Sequence, residues 1–212
     1  RRTLKPVRHG WTWPSLTLGL GIIAQAILGG ITVLTGLNSW IVGAHFLVSG
    51  ILIAIASILV YRVYRPAQRP VPAGSLSIRW LILVSGTLSI LFGIVVTGAG
   101  PHAGDASTPR NGLDLEIWQH YHSYPGYLML LLIVIQLALF VRRDGLSPAG
   151  WNHQTVTLAI LFGVSVAQAI IGVIQARLGV PPLLVGIHMF GAALLCSLLT
   201  FQILIVRSKF SK

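Results

Sequence analysis

Six apolar segments, each about as long as a lipid bilayer is thick, dominate the sequence. A helix needs about 20 mostly apolar residues to cross the hydrocarbon of a bilayer, and short polar gaps separate segments of that length along the whole chain. The predicted fold is therefore all-α, a polytopic membrane helical bundle with six transmembrane helices. We expect these helices at residues 15–36, 39–61, 77–98, 117–141, 155–176 and 182–206.

The basic residues predict how the chain is oriented in the membrane. The chain has 15 Lys and Arg against 4 Asp and Glu, a net charge of +11. Almost all of the cations lie before the first helix, in every second gap and after the last helix, while the other gaps hold only Arg110 and Arg177. The positive-inside rule then predicts that both termini are cytoplasmic. This distribution accounts for the net charge without a nucleic-acid partner.

An internal repeat relates the first two helices to the last two. Residues 24–45 match residues 167–188 without a gap at a constant shift of 143, with 10 of 22 positions identical. Gln25 corresponds to Gln168, and His45 to His188. Parallel repeats of this kind are a known membrane architecture.

The repeat predicts two four-helix halves related by two-fold symmetry. Residues 77–212 would form the C-terminal half, and residues 1–76 would be the last two helices of an N-terminal half. Applying the shift to residue 77 places the start of that first half about 66 residues upstream of Arg1. We therefore expect two further helices before Arg1.

Three histidines are expected at one level, about 10 Å below the outer ends of their helices: His45, His122 and His188. Ionisable residues at membrane depth usually face a cavity, a partner or a cofactor. Two neutral imidazoles on facing helices of one bundle suit axial coordination of a haem iron, and His122 and His188 belong to the same predicted half. His45 is the candidate metal ligand of the other half. The alternative is that these imidazoles only form hydrogen bonds between helices.

The other histidines are weaker candidates. His120 lies about 200° around the helix from His122, so only one of the two can face a haem, and we favour His122. His9 and His153 are expected to be solvated, whereas His102 is either a loop hydrogen-bonding residue or a contact for a haem propionate.

The sequence lacks the residues that other kinds of functional site require. The glycines of residues 95–105 lack the strand and the Lys-Ser/Thr pair of a phosphate loop, and the sequence contains no HExxH motif. All four acidic residues lie near or beyond the predicted helix ends, which argues against a proton-coupled transporter. With Cys196 as the single cysteine, an intramolecular disulfide is impossible.

Three segments closely resemble the haem A synthase family: GGITVLTGLNSWIVGAHFLVS, VVTGAGPHAGD and QARLGVPPLLVGIHMFGAALL. The resemblance covers essentially all 212 residues. Members of this family have eight transmembrane helices in two four-helix halves, so the chain is similar to their helices three to eight. The motif around His122 departs from the family, which often has His-Ala-Asp-Leu where this chain has His-Ser-Tyr-Pro.

The resemblance implies a function and its site residues. His122 and His188 would hold a haem b, and His45 would be the catalytic residue beside the substrate haem. The reaction would oxidise the C8 methyl of haem O to the formyl group of haem A, which terminal oxidases use, with haem b relaying electrons. Arg110 and Arg177 would bind haem propionates, the alternative being solvated loop charges.

The resemblance also implies a location and partners. We expect a multi-pass protein of the bacterial plasma membrane, with haem O as substrate, and with haem O synthase and an electron donor as candidate partners. The resemblance does not fix the oligomeric state, and a homo-oligomer is one candidate. Two competing functions also remain open at this point: a diheme cytochrome b that only carries electrons, and a haem-free structural or transport protein.

Overall fold

The computed structural model describes residues 9–64, 75–101, 107–145 and 152–205. These ranges contain six α-helices and no strand, which confirms the predicted all-α class. Every helix is long and apolar enough to cross a membrane, so the chain is a multi-pass membrane protein. The helices are α1 (His9–Leu34), α2 (Ser39–Tyr64), α3 (Ser75–Ala99), α4 (Leu115–Asp144), α5 (His153–Arg177) and α6 (Pro182–Leu204).

The two ends of the bundle differ. The α1–α2, α3–α4 and α5–α6 connections lie at one end, here named the hairpin side. At the opposite end, here named the basic side, α2 and α4 end with Arg62, Arg142 and Arg143 in their last turns. The sequence predicts that the basic side is cytoplasmic.

The helix α1 begins six residues earlier than predicted and runs through Pro14. Proline has no N–H, so it cannot bond the carbonyl one turn before it, which here belongs to Gly10. Arg62 on α2 donates a hydrogen bond to that carbonyl instead, and its guanidinium lies 5.0 Å from the ring centre of Trp13. This contact lets the helix continue to His9.

Four of the helices form a closed ring, in which α3 packs on α4, α4 on α5, α5 on α6, and α6 on α3. The buried apolar core lies inside this ring and consists of Ile82, Met129, Ile133, Phe140, Leu158, Leu161, Leu195 and Leu199. The helix α2 packs outside the ring against α3 and α6, and α1 packs principally on α2. These four ring helices are the ones that the repeat assigns to the C-terminal half, although α3 begins two residues before the predicted boundary. The division into two related halves stays a prediction.

The repeated sequences form turns of the same shape. Gly36 and Leu37 have φ values of 61° and 60°, and the equivalent Gly179 and Val180 have 72° and 61°. In each turn the amide of the second residue donates to the carbonyl five residues earlier, at 2.8 Å and 2.7 Å. Leu37 and Val180 thus both adopt a left-handed conformation that side chains with a Cβ rarely occupy. The repeat extends from residue identity to backbone geometry.

Candidate functional site

His122 and His188 meet inside the ring of helices. Their helices, α4 and α6, stand diagonally across the ring, and the two imidazole centres are 6.1 Å apart with ring planes at 80°. Both side chains are partly buried. His122 lies seven residues after Leu115 and His188 six residues after Pro182, so both are about 10 Å from the hairpin side.

The separation of the two rings suits a shared metal. An imidazole nitrogen binds a metal at about 2 Å, and the ring centre lies about 1 Å further away. Two ligands on opposite faces of one iron therefore hold their ring centres about 6 Å apart. The angle of 80° fits as well, because each ring can rotate about its nitrogen–metal axis.

The closely packed core stops before it reaches the imidazoles. On α4 the buried core residue next to the site is Met129, seven residues beyond His122, and on α6 it is Leu195, seven residues beyond His188. Seven residues of helix span about 10 Å. Within the described residues, the fully buried apolar core therefore lies about 10 Å from the two imidazoles, which are themselves only partly buried.

Hydrogen bonds orient the ring of His122. Its Nδ1 lies 2.7 Å from the carbonyl oxygen of Ser89 on α3, and the Ser89 hydroxyl donates to the His122 carbonyl at 3.1 Å. A carbonyl oxygen only accepts, so Nδ1 carries the proton and Nε2 keeps its lone pair. This is the arrangement that commonly orients a metal-binding histidine.

A glycine on the preceding helix faces each of the three membrane histidines. A Cβ added to Gly93 would lie 3.0 Å from Cε1 of His122, and one added to Gly172 would lie 3.4 Å from Cε1 of His188. The corresponding distance from Gly29 to His45 is 3.6 Å. Gly29 and Gly172 are identical positions of the repeat, and that identity was the signal available in the sequence. Gly93 lies outside the repeat, so nothing in the sequence singled it out.

His45 occupies an equivalent position outside the ring of helices. It lies six residues after the start of α2, as His188 does on α6, and Nδ1 of both imidazoles is buried without a hydrogen-bond partner. Gln25 on α1 and Ser49 on α2 both donate to the His45 carbonyl, at 3.1 Å and 2.9 Å. Among the described ring contacts, none brings a second imidazole to His45.

The other histidines lie away from the pair. His120 is exposed and stacks on Tyr124 with ring centres 6.1 Å apart, so it is His122 that faces His188. His153 is exposed, as expected. His102 and the side chain of His9 lie outside the described residues.

The two candidate propionate contacts differ. Arg110 is half-buried and donates to the Pro101 carbonyl, while its Nη1 is buried without a partner. The neighbouring Asn111 holds this segment against α3, with its side-chain amide donating to the Val95 carbonyl at 2.9 Å. Arg177 is exposed at the last residue of α5. Arg110 therefore has a fixed position with a spare donor, whereas the geometry of Arg177 fits a solvated charge equally well.

A cavity of about 390 Å³ opens between the hairpin-side halves of α2 and α3. Its walls are mostly apolar and include Trp40, Leu47, Phe92, Ile94 and Trp118. His45 does not line it. The described residues contain no cluster of three or more His, Cys, Asp or Glu side chains that could hold a bare metal ion, whereas a haem iron needs only two axial ligands from the protein.

The fold defines a class, an α-helical polytopic membrane protein. No protein-family model, curated protein or solved structure matches the chain. The resemblance to haem A synthases therefore remains a prediction from sequence motifs, and the geometry of the imidazole pair is an independent observation.

Proposed function

We propose that the α3–α6 ring holds a haem b between His122 and His188. The observation that carries this proposal is the 6.1 Å between the two imidazole centres inside a membrane helix ring. The hydrogen bond from His122 to Ser89 supports it, because it leaves Nε2 free to bind iron. The closest glycine contacts, from Gly93 and Gly172, restrict the tilt of both rings. A bound haem would supply one-electron redox chemistry.

The specific function that we propose is haem A synthesis, in which the C8 methyl of haem O becomes a formyl group. This change removes four electrons from one carbon through two hydroxylations and the loss of one water, and it requires an external oxidant. The support from the structure is that His45 shares with His188 its depth, its glycine neighbour and its buried Nδ1. In this proposal His45 positions the substrate haem, and Arg110 offers its spare Nη1 to a propionate.

A second candidate is a cytochrome b that only carries electrons. It is favoured by the observation that one imidazole pair already supplies the two axial ligands that an electron-carrying haem needs. The ligand residues His122 and His188 would be the same, but no haem substrate would bind beside His45.

Pigment analysis distinguishes these functions. The complete natural protein is purified after expression with sufficient haem, and its pigments are extracted with acid acetone and identified by mass spectrometry. We expect haem b together with haem O or haem A. Haem b alone would favour the electron carrier, and a preparation without a Soret band would overturn both haem-based proposals.

A further inference from the structure

A layer of buried polar side chains crosses the ring of helices near the basic side. Each ring helix contributes one long polar residue, Arg79 from α3, Gln136 from α4, Gln154 from α5 and Gln202 from α6, and none is more than 1% exposed. The layer is remote from the imidazoles, because Arg79 lies about 20 Å along α3 from Gly93. The proposed haem chemistry gives this layer no role.

The guanidinium of Arg79 is hydrogen-bonded at one end and unpaired at its side. Its Nη1 donates to the Gln202 carbonyl, and the Gln202 side chain donates back to the Arg79 carbonyl at 3.0 Å. The guanidinium carbon lies 5.3 Å from the ring centre of Phe140. Nε and Nη2, however, are buried without a hydrogen-bond partner. Together these two nitrogens form the side edge of the guanidinium, which binds two oxygens of a carboxylate or phosphate at once.

No described carboxylate balances this buried charge. The acids whose side chains the structure describes, Asp114 and Glu116, lie at the start of α4 on the hairpin side. A second guanidinium, that of Arg143, lies 4.9 Å from the same Phe140 ring and adds positive charge. Because a buried cation is costly without a counter-ion, the unpaired edge of Arg79 favours an anionic group.

The same layer also offers hydrogen-bond acceptors. The side-chain oxygens of Gln136 and Gln202 are buried without partners, while the Gln136 amide donates to the Ser75 hydroxyl at 2.8 Å. Acceptors of this kind repel bare anion oxygens and bind O–H groups. A ligand that satisfies the whole layer therefore combines an oxyanion with hydroxyl groups.

We propose that this layer binds a phosphate-type oxyanion that also carries O–H donors, with the Nε and Nη2 edge of Arg79 as its main contact. Two sources have this chemistry, hydrogen phosphate and the phosphoglycerol headgroup of a membrane lipid. The basic side is the one that the sequence predicts to face the anionic lipids of the cytoplasmic leaflet. The proposal does not depend on the haem proposal.

Thermal unfolding of the full chain tests the proposal. The delipidated protein in neutral detergent is titrated with sodium phosphate against sodium chloride at matched ionic strength. In a second arm it is placed in phosphatidylcholine vesicles with and without phosphatidylglycerol. A bound ligand raises the unfolding midpoint saturably. We expect a rise in one of these arms.

Variants assign the effect to Arg79. Arg79→Lys keeps the charge but loses the two-pronged edge, and it should weaken the apparent affinity by about tenfold. Arg142→Gln is the matched control, because it removes an exposed charge at the same side and should keep the full effect. If Arg79→Lys does not fold, Arg79→Met provides a variant of similar length without a charge.

Each outcome has a meaning. A rise with phosphate supports a free oxyanion, and a rise only with phosphatidylglycerol supports the lipid headgroup. The absence of a rise in both arms for the wild-type protein, or an equal rise in the Arg79 variants, would overturn the proposal and favour a layer filled by water.

Discussion

The two hairpins α1–α2 and α5–α6 have the same local structure and different surroundings. Both have the same left-handed turn, a histidine at the same depth and a glycine facing that histidine. The α5–α6 hairpin is part of the ring of helices, and His188 faces His122 on α4. The α1–α2 hairpin packs outside the ring, and no such imidazole faces His45 among the described residues. The repeat thus accounts for the local geometry of both hairpins, whereas the described partner of His188 comes from a helix outside them, α4.

The equivalent glutamines show the same divergence. Gln25 donates to the hydroxyl of Ser49 and to the His45 carbonyl. At the position equivalent to Ser49 the second hairpin has Ala192, which offers no hydroxyl. Gln168 instead packs tightly against Gly191. One pair of equivalent residues therefore makes a polar contact in one hairpin and a steric contact in the other.

The largest expected effect is on haem binding. His188→Ala or His122→Ala should abolish the low-spin haem b spectrum, because an iron with two histidine ligands loses one of them. His45→Ala and His120→Ala, which lie outside the pair, should leave the spectrum nearly unchanged. Absorption spectra of the reduced and oxidised membrane protein measure this effect. A retained spectrum in both the His122 and the His188 variants would show that the pair does not bind haem.

The next largest expected effect is a loss of stability when Gly191 is substituted. A Cβ at this position would lie 1.8 Å from Nε2 of Gln168, so Gly191→Ala should lower the free energy of unfolding by about 1–3 kcal/mol. Gly186→Ala on the same helix is the control, because nothing lies within 4 Å of its added Cβ. Unfolding in detergent, followed by tryptophan fluorescence, measures both variants.

A second change sharpens this test of the two hairpins. Ala192→Ser introduces the hydroxyl that Ser49 provides in the first hairpin, so it should recover part of the stability that Gly191→Ala loses. If Gly191→Ala proved as harmless as Gly186→Ala, the contact with Gln168 would not constrain the second hairpin.

Alanine substitutions at the three glycines that face histidines should lower haem affinity most where the glycine is closest to the imidazole. Gly93→Ala should reduce haem affinity about tenfold, since the added carbon would lie 3.0 Å from the His122 ring and would displace it. Gly172→Ala, at 3.4 Å, should have a smaller effect, and Gly29→Ala, at 3.6 Å from His45, should not change haem b binding. Titration of the apoprotein with haem gives the three affinities. The reverse ranking would contradict the packing of these rings.

The smallest expected effect is the change in stability when the strained residues of the two left-handed turns are replaced by glycine. Val180 is β-branched and has a φ of 61°, which is strained, so Val180→Gly should stabilise the fold by about 1 kcal/mol. Leu37→Gly should act in the same direction with a smaller effect, because leucine is not branched at Cβ. Val185→Gly, within helix α6, serves as the control and should destabilise the protein. Thermal midpoints in detergent test all three, and a loss of stability in Val180→Gly would contradict the assigned strain.

The fold followed from the sequence to a large extent, because apolar length alone predicts membrane helices. The start of α1 was wrong by six residues, since it depends on Arg62 occupying the Gly10 carbonyl that Pro14 leaves open, a contact between distant residues. The preference for His122 over His120 came from the greater depth of His122 along its helix, and the structure pairs His122 with His188.

The buried polar layer could not be predicted in the same way. Single Arg or Gln residues in apolar helices give no periodic pattern, so Arg79, Gln136 and Gln202 read as isolated polar positions. Only the packing of four helices brings them to one level. The left-handed turns could not be predicted from the sequence either, because Leu37 and Val180 are not residues that favour this conformation.

The attachment of α1 has a mechanical consequence. This helix is joined to α2 by the short turn at one end, by the Gln25 hydrogen bonds midway and by Arg62 at the other end, and within the described residues most of its apolar side chains are exposed. Because the buried core lies inside the ring of helices, losing these α1 contacts should leave the core residues in place. The equivalent helix of the second hairpin, α5, belongs to the ring and contributes Leu158 and Leu161 to the core, so displacing it would disrupt the core.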